Sequence, residues 1–154
     1  HRPNRRQRQM CIRDRGITVN TRNDHVVVVK EHQPGLLIEL DSSLTTILST
    51  RVLQPSQGFI HPELKAEKLD FSGLSYDSSS DTLWIVSDKG RCLFQYDWAR
   101  DTVLQRLDLT ISTGDKPKRI RKPEGVAFDP DRNRLYVVSD RDGDLYVFRL
   151  HDDG

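Results

Sequence analysis

Cysteine is scarce in this sequence, with Cys11 and Cys92 the only two, and methionine occurs once, at Met10. No apolar run approaches the roughly 20 residues that a membrane-spanning helix needs. No apolar stretch near the N-terminus has the form of a signal peptide either, so any export signal is expected upstream of His1. What remains, 35% hydrophobic and 31% charged residues, is the composition of an ordinary soluble globular domain.

The opening stretch, His1 to Arg15, is rich in arginine and lacks hydrophobic periodicity. At face value it is a basic arm for nucleic acid. A plainer account is available, because Arg5 to Asp14 can be written as the codons CGT CGG CAG CGT CAG ATG TGT ATA AGA GAC. Those codons look like a transposase-based sequencing-library adapter read in frame, with His1 to Asn4 as the barcode end before it. Residues 1–15 are therefore read as a non-native, disordered tail and set aside from fold reasoning. Without them Lys plus Arg falls from 24 to 18 and Asp plus Glu from 23 to 22, so the formal charge moves from +1 to −4. Phosphate-backbone binding requires a concentrated basic surface, and no nucleic-acid partner is expected. Cys11 goes with the tail. Cys92 alone makes no intrachain disulfide, which leaves the redox compartment open.

Self-similarity organises the rest. Phe71 to Asp97 (FSGLSYDSSSDTLWIVSDKGRCLFQYD) and Pro123 to Leu150 (PEGVAFDPDRNRLYVVSDRDGDLYVFRL) align without a gap, with Gly73, Asp77, Leu83, Val86, Ser87 and Asp88 falling on Gly125, Asp129, Leu135, Val138, Ser139 and Asp140. A weaker third copy, Gly16 to Asp41, places Gly16, Asp24, Val29 and Glu31 in the same register. Each copy has the grammar of antiparallel strands: an apolar stretch, a polar turn, a β-branched and aromatic run, a tight turn such as Asp142-Gly143, then an alternating strand. Fourth strands are expected at Leu44 to Leu53 and Val103 to Leu109. Four strands at a period of about fifty residues are the signature of a propeller blade. The fold class is thus all-β, a β-propeller fragment of about three four-stranded blades in an open arc, near residues 16–53, 70–109 and 123–154. A β-sandwich, the rival, would not need copies in fixed register. Gly16, Gly73 and Gly125 are expected where innermost strands crowd the axis. Between blades, HPELKAEKL predicts a short surface helix, and Thr110 to Lys122 reads as a mobile basic loop.

Candidate chemistry follows from the repeat. Glu31, Asp88 and Asp140 close the second strand of successive copies, so their carboxylates should ring one channel mouth. Glu124 joins them from the innermost strand, where Ser72 holds the matching place one blade earlier. Hard oxygen donors of this kind suit calcium; the plainer account is that each carboxylate caps its hairpin or pairs with a neighbour such as Lys89 or Arg141. Lys116, Lys118, Arg119, Arg121 and Lys122 are candidates for an anionic ligand at the mouth, against a simple solvated loop. Asp140 to Asp144 superficially matches a calcium loop but lacks the distal glutamate of an EF-hand, and Asp-Gly is what a hairpin turn demands. His25, His32, His61 and His151 lack metal-ligand spacing. No G-x-S-x-G elbow accompanies Ser72, so no catalytic residue is assigned.

The segments Asp70 to Gly73, Pro123 to Gly125, Lys30-Glu31 and the two Val-Ser-Asp triplets, in this order, resemble the last three blades of the SdiA-regulated propeller family over essentially all of Gly16 to Gly154. Where that family carries an acidic residue before the first glycine, this chain has Arg15. The resemblance implies a bacterial periplasmic or cell-envelope protein, often linked to calcium, with further blades N-terminal to this stretch. It also implies attachment to a membrane only through an anchor outside this sequence. The expected function is a calcium-binding ligand or interaction module, with a small molecule or a protein bound at the channel mouth. The alternative is a metal-dependent hydrolase of the phytase-like or lactonase-like propeller type.

Overall fold

The computed structural model describes residues 14–31 and 34–151. Their regular structure is almost entirely strand, with two single turns of 3-10 helix at Pro55–Gln57 and Ala66–Lys68. The first blade is a four-stranded antiparallel meander of β1 (Asp14–Asn20), β2 (His25–Lys30), β3 (Leu36–Leu40) and β4 (Ile47–Val52). The second repeats it with β5 (Gly73–Asp77), β6 (Thr82–Ser87), β7 (Cys92–Asp97) and β8 (Thr102–Asp108). A two-stranded hairpin follows, β9 (Thr110–Thr113) with β10 (Lys116–Arg119). The third blade has three strands among the described residues, β11 (Pro123–Asp129), β12 (Arg134–Ser139) and β13 (Leu145–Arg149).

Two local expectations are corrected. Thr110 to Arg119 is a hairpin rather than a loop, because Thr110, Ile111 and Thr113 favour extended backbone and Gly114, at φ +70, supplies the left-handed turn residue. The segment around Leu64 makes one 3-10 turn at Ala66–Lys68 and no longer helix. The first strand also begins at Asp14, so it takes in Asp14 and Arg15, two residues set aside with the tail.

The innermost strands β1, β5 and β11 lie side by side, and the glycines that open them explain how closely. A β-carbon on Gly16 would lie 2.7 Å from the Gly73 α-carbon, and one on Gly73 would lie 2.7 Å from the Glu124 carbonyl oxygen. A side chain at either place would collide with backbone. The first hairpin of each blade turns alike as well. Asn20 accepts the Arg22 N–H, Asp77 those of Ser79 and Ser80, and Asp129 those of Asp131 and Arg132. Each turn then ends on Asp24, Asp81 or Asn133 at positive φ, the residue types that best tolerate it.

The middle blade is buried on both faces, as its near-continuous apolar run from Leu83 to Val86 requires. Leu83 and Ile85 of β6, with Cys92, Phe94 and Tyr96 of β7, pack toward the first blade around Val29, Leu37, Phe59 and Phe71. Trp84, Val86 and Leu93 turn the other way, to Leu135, Val137 and Ile120. Ile17 and Val19 on β1, and Val138, Leu145 and Val147 on the third blade, are exposed apolar residues on the outward faces of the arc.

Candidate functional site

One end of the axis gathers the turns after the second strands and the segments that lead into the innermost strands. Strand β11 carries a bulge between Pro123 and Gly125, and β1 one between Asp14 and Gly16. These bulges set Glu124 and Arg15 at matching places, and such irregularities re-aim side chains. Ser72, the equivalent in the middle blade, is buried and donates its hydroxyl to the Pro123 carbonyl at 3.0 Å, tying the second blade to the third.

The serines of the Val-Ser-Asp triplets organise the turns. Ser87 donates to Asp70 Oδ1 at 2.9 Å and accepts the Gly90 N–H at 3.0 Å. Ser139 donates to the Arg121 carbonyl and accepts the Asp142 N–H at 3.0 Å. Gly143, at φ +65, donates to the Ser139 carbonyl at 3.1 Å. Asp140 to Asp144 is therefore a hairpin turn, and Asp142 is held by Arg121 at 2.7 Å.

The four candidate metal ligands divide. Asp88 is half-buried, and its carboxyl is pushed above the ordinary range by burial, then by the charges of Asp70 and Glu124, with Glu31 adding and Lys122 opposing. Glu31, Asp88 and Glu124 thus share one electrostatic neighbourhood. Glu31 is ion-paired with Arg15 at 2.5 Å, while Asp140 is exposed and lies 3.7 Å from Lys122. Asp70, a residue that sequence reasoning missed, is buried behind them. Its Oδ1 accepts from Ser87 and from the Lys89 N–H, and its Oδ2 is buried without a hydrogen-bond partner. Among the described residues, no three of His, Cys, Asp or Glu come together closely enough to hold a metal ion.

The basic run divides too. Lys116, Lys118 and Arg119 are exposed on β10, with Arg119 paired to Glu63 at 3.3 Å. Arg121 and Lys122 instead line an open cavity of about 490 Å³ between the second and third blades. Lys68, Lys89, Arg91 and Arg141 join them there. No sequence signal links those four, since they come from three separate turns.

Of the remaining candidates, His151 is exposed. His25 Nδ1 lies 2.7 Å from Glu39, and His61 Nδ1 accepts the Glu63 N–H at 3.1 Å; His32 falls outside the described residues. Cys92 is buried, which pushes its thiol up to about 12, far from the reactive range.

A family model described as SdiA-regulated matches residues 15–149. No curated protein matches the chain. Among solved structures, a nidogen/laminin complex aligns at 17% identity and TM-score 0.57, over 88% of this chain and 44% of that one. A luciferin-regenerating enzyme aligns at 16% and 0.56, over 82% and 37%. Kuenenia stuttgartiensis hydrazine synthase aligns at 11% and 0.54, over 82% and 29%. The chain spans less than half the length of these three neighbours. Likeness at such identities establishes the β-propeller fold.

Proposed function

From a chain that belongs to the SdiA-regulated family, its match running through all three blades, we propose a binding module of the bacterial cell envelope whose axial mouth takes up a cation. The envelope location rests on the family resemblance alone. The uptake of a cation rests on Asp88, a half-buried carboxyl on which burial and then the charges of Asp70, Glu124 and Glu31 act together. Lys122 opposes these carboxylates at Asp88, and a bound cation would offset the repulsion that remains among them.

Calcium is the ion that these donors suit in kind, because all are hard oxygens. The orphaned Oδ2 of Asp70 adds a buried acceptor in the same neighbourhood. In number the fit is partial. Calcium takes about six to eight oxygens, while Arg15 engages Glu31 and Lys122 faces Asp140. Asp88 and Glu124 would hold the ion, with water or a ligand's own oxygens completing the set. Calorimetric titration of the chain with calcium tests this: saturable binding that Asp88→Asn weakens supports it, and no binding by the parent chain overturns it.

A further inference from the structure

The cavity between the second and third blades has a charge balance opposite to that of the acidic cluster beside it. Its lining cations come from four places: Lys68 from the 3-10 turn, Lys89 and Arg91 from the turn between β6 and β7, Arg121 and Lys122 from the segment before β11, and Arg141 from the turn after β12. The one carboxylate in the lining is Asp88. Asp142 pairs with Arg121 and Asp140 with Lys122. Lys68, Lys89, Arg91 and Arg141 have no ion pair among the described residues. Elsewhere Arg15, Arg22, Arg51, Arg100, Arg106, Arg119 and Arg132 each face a carboxylate, while Lys30, Lys65, Lys116, Lys118, Arg134 and Arg149 have no ion pair among the described residues.

The backbone carries a second sign. Apart from Asp and Asn, which tolerate the left-handed region, the non-glycine residues at positive φ are Leu44, Arg91 and Lys122. Two of these three line the cavity. Arg91 ends a four-residue hairpin turn at the place that Asp81 and Asp101 hold in theirs, where an arginine costs more than Asp or Asn would. Gathering like charges in a concave wall also costs free energy, which a bound anion offsets. We propose that this cavity binds a compact, multiply charged phosphate-bearing anion. The arginine forks of Arg91 and Arg141 match phosphate oxygens in geometry, and the lysines supply point charges. At about 490 Å³ the space lies in the range of small-molecule sites and exceeds what one orthophosphate would fill.

The cavity shares Asp88 with the cation reading, and substitution of that residue separates the two. The full chain is titrated in calcium-free buffer with inorganic tripolyphosphate and, in a second arm, with glucose 6-phosphate, which distinguishes a free oxyanion from an ester. Saturable one-to-one binding of either probe is expected, weakening as salt rises. Arg141→Gln and Arg91→Gly should each reduce affinity roughly tenfold, the loss of one charge-assisted contact. Arg91→Gly also relieves the positive φ, so the fold is retained. Lys116→Gln with Lys118→Gln, on the hairpin outside the cavity, should change affinity less than about twofold. Asp88→Asn should tighten tripolyphosphate while weakening calcium. Absence of binding to both probes, or an equal loss in the hairpin variant, overturns the proposal whatever the calcium result.

Discussion

The Ser75 hydroxyl accepts the Phe128 N–H at 2.9 Å across the junction of the second and third blades. One junction earlier, Thr18 accepts the Tyr76 N–H at 3.0 Å. The two bonds occupy equivalent places, so a hydroxyl two residues after the axial glycine stitches each innermost strand to the next. Ala127 holds this place in the third blade, and the stitch ends there.

Ser75→Ala leaves the partly buried Phe128 N–H without its acceptor and should cost about 1 kcal/mol. Ser75→Thr should recover most of it. Urea denaturation of the three chains measures the difference, and equal midpoints for parent and alanine variant would show that water replaces the hydroxyl.

The axial glycines should not respond equally to alanine. At Gly73 the new β-carbon meets the Glu124 carbonyl oxygen at 2.7 Å, and backbone cannot yield without separating two blades. At Gly125 it meets a methyl of Val138 at 2.6 Å, and Val138 is exposed and free to turn. Gly73→Ala should therefore lose about 1–3 kcal/mol and Gly125→Ala clearly less, in the same denaturation assay.

These glycines were readable from the sequence because they recur in register with the strands, and a repeat exposes whatever each unit needs. The strands were readable for the same reason. The hairpin of β9 and β10 has no counterpart between the first two blades. Its second strand, Lys116–Arg119, is exposed throughout and so carries no apolar alternation, although Gly114-Asp115 after a β-branched run was a usable turn signal. Phe59 sits in what the sequence presents as a connection. It is buried, with ring centroids 5.3–5.4 Å from Phe71, Phe94 and Tyr96, and a lone aromatic outside a repeat does not announce its partners. Of the basic cavity, Arg121 and Lys122 were readable as part of a basic run, while Lys68, Lys89 and Arg141 meet them only when two blades pack.

Alkaline pH should destabilise the fold. Burial raises the Cys92 thiol from 9.0 to about 12. It also raises the Tyr96 hydroxyl from 10.0 to about 12, with Arg51 opposing and Asp101 adding. The unfolded chain loses these protons first, so their contribution is intact below about pH 9 and is lost as pH rises toward 12. Denaturation midpoints across this window should fall steadily, and Cys92→Ala should flatten the first part of the decline whatever its effect on the baseline.

Asp88 works in the opposite pH range. Its folded carboxyl is raised above the ordinary 3.8, mainly by burial and then by Asp70 and Glu124. The stability tied to its protonated form is full below that value and is lost as pH rises through the folded pKa. Asp88→Asn should be more stable than the parent at neutral pH, with the advantage gone in acid. A variant that is less stable at pH 7 would mean that the ionised carboxylate makes a favourable contact in the fold. Greater stability with weaker calcium binding is the trade expected of a residue kept for function.

Strand β6 is a party wall. Leu83 and Ile85 serve one junction while Trp84 and Val86 serve the other, so residues joined by a peptide bond answer to different neighbours. Related chains should vary Ile85 together with the first blade, and Trp84 together with Leu135 and Phe128. Repacking one junction by exchange of side chains should then leave the other undisturbed, which makes this arc divisible by design at the level of single, alternate positions along one strand.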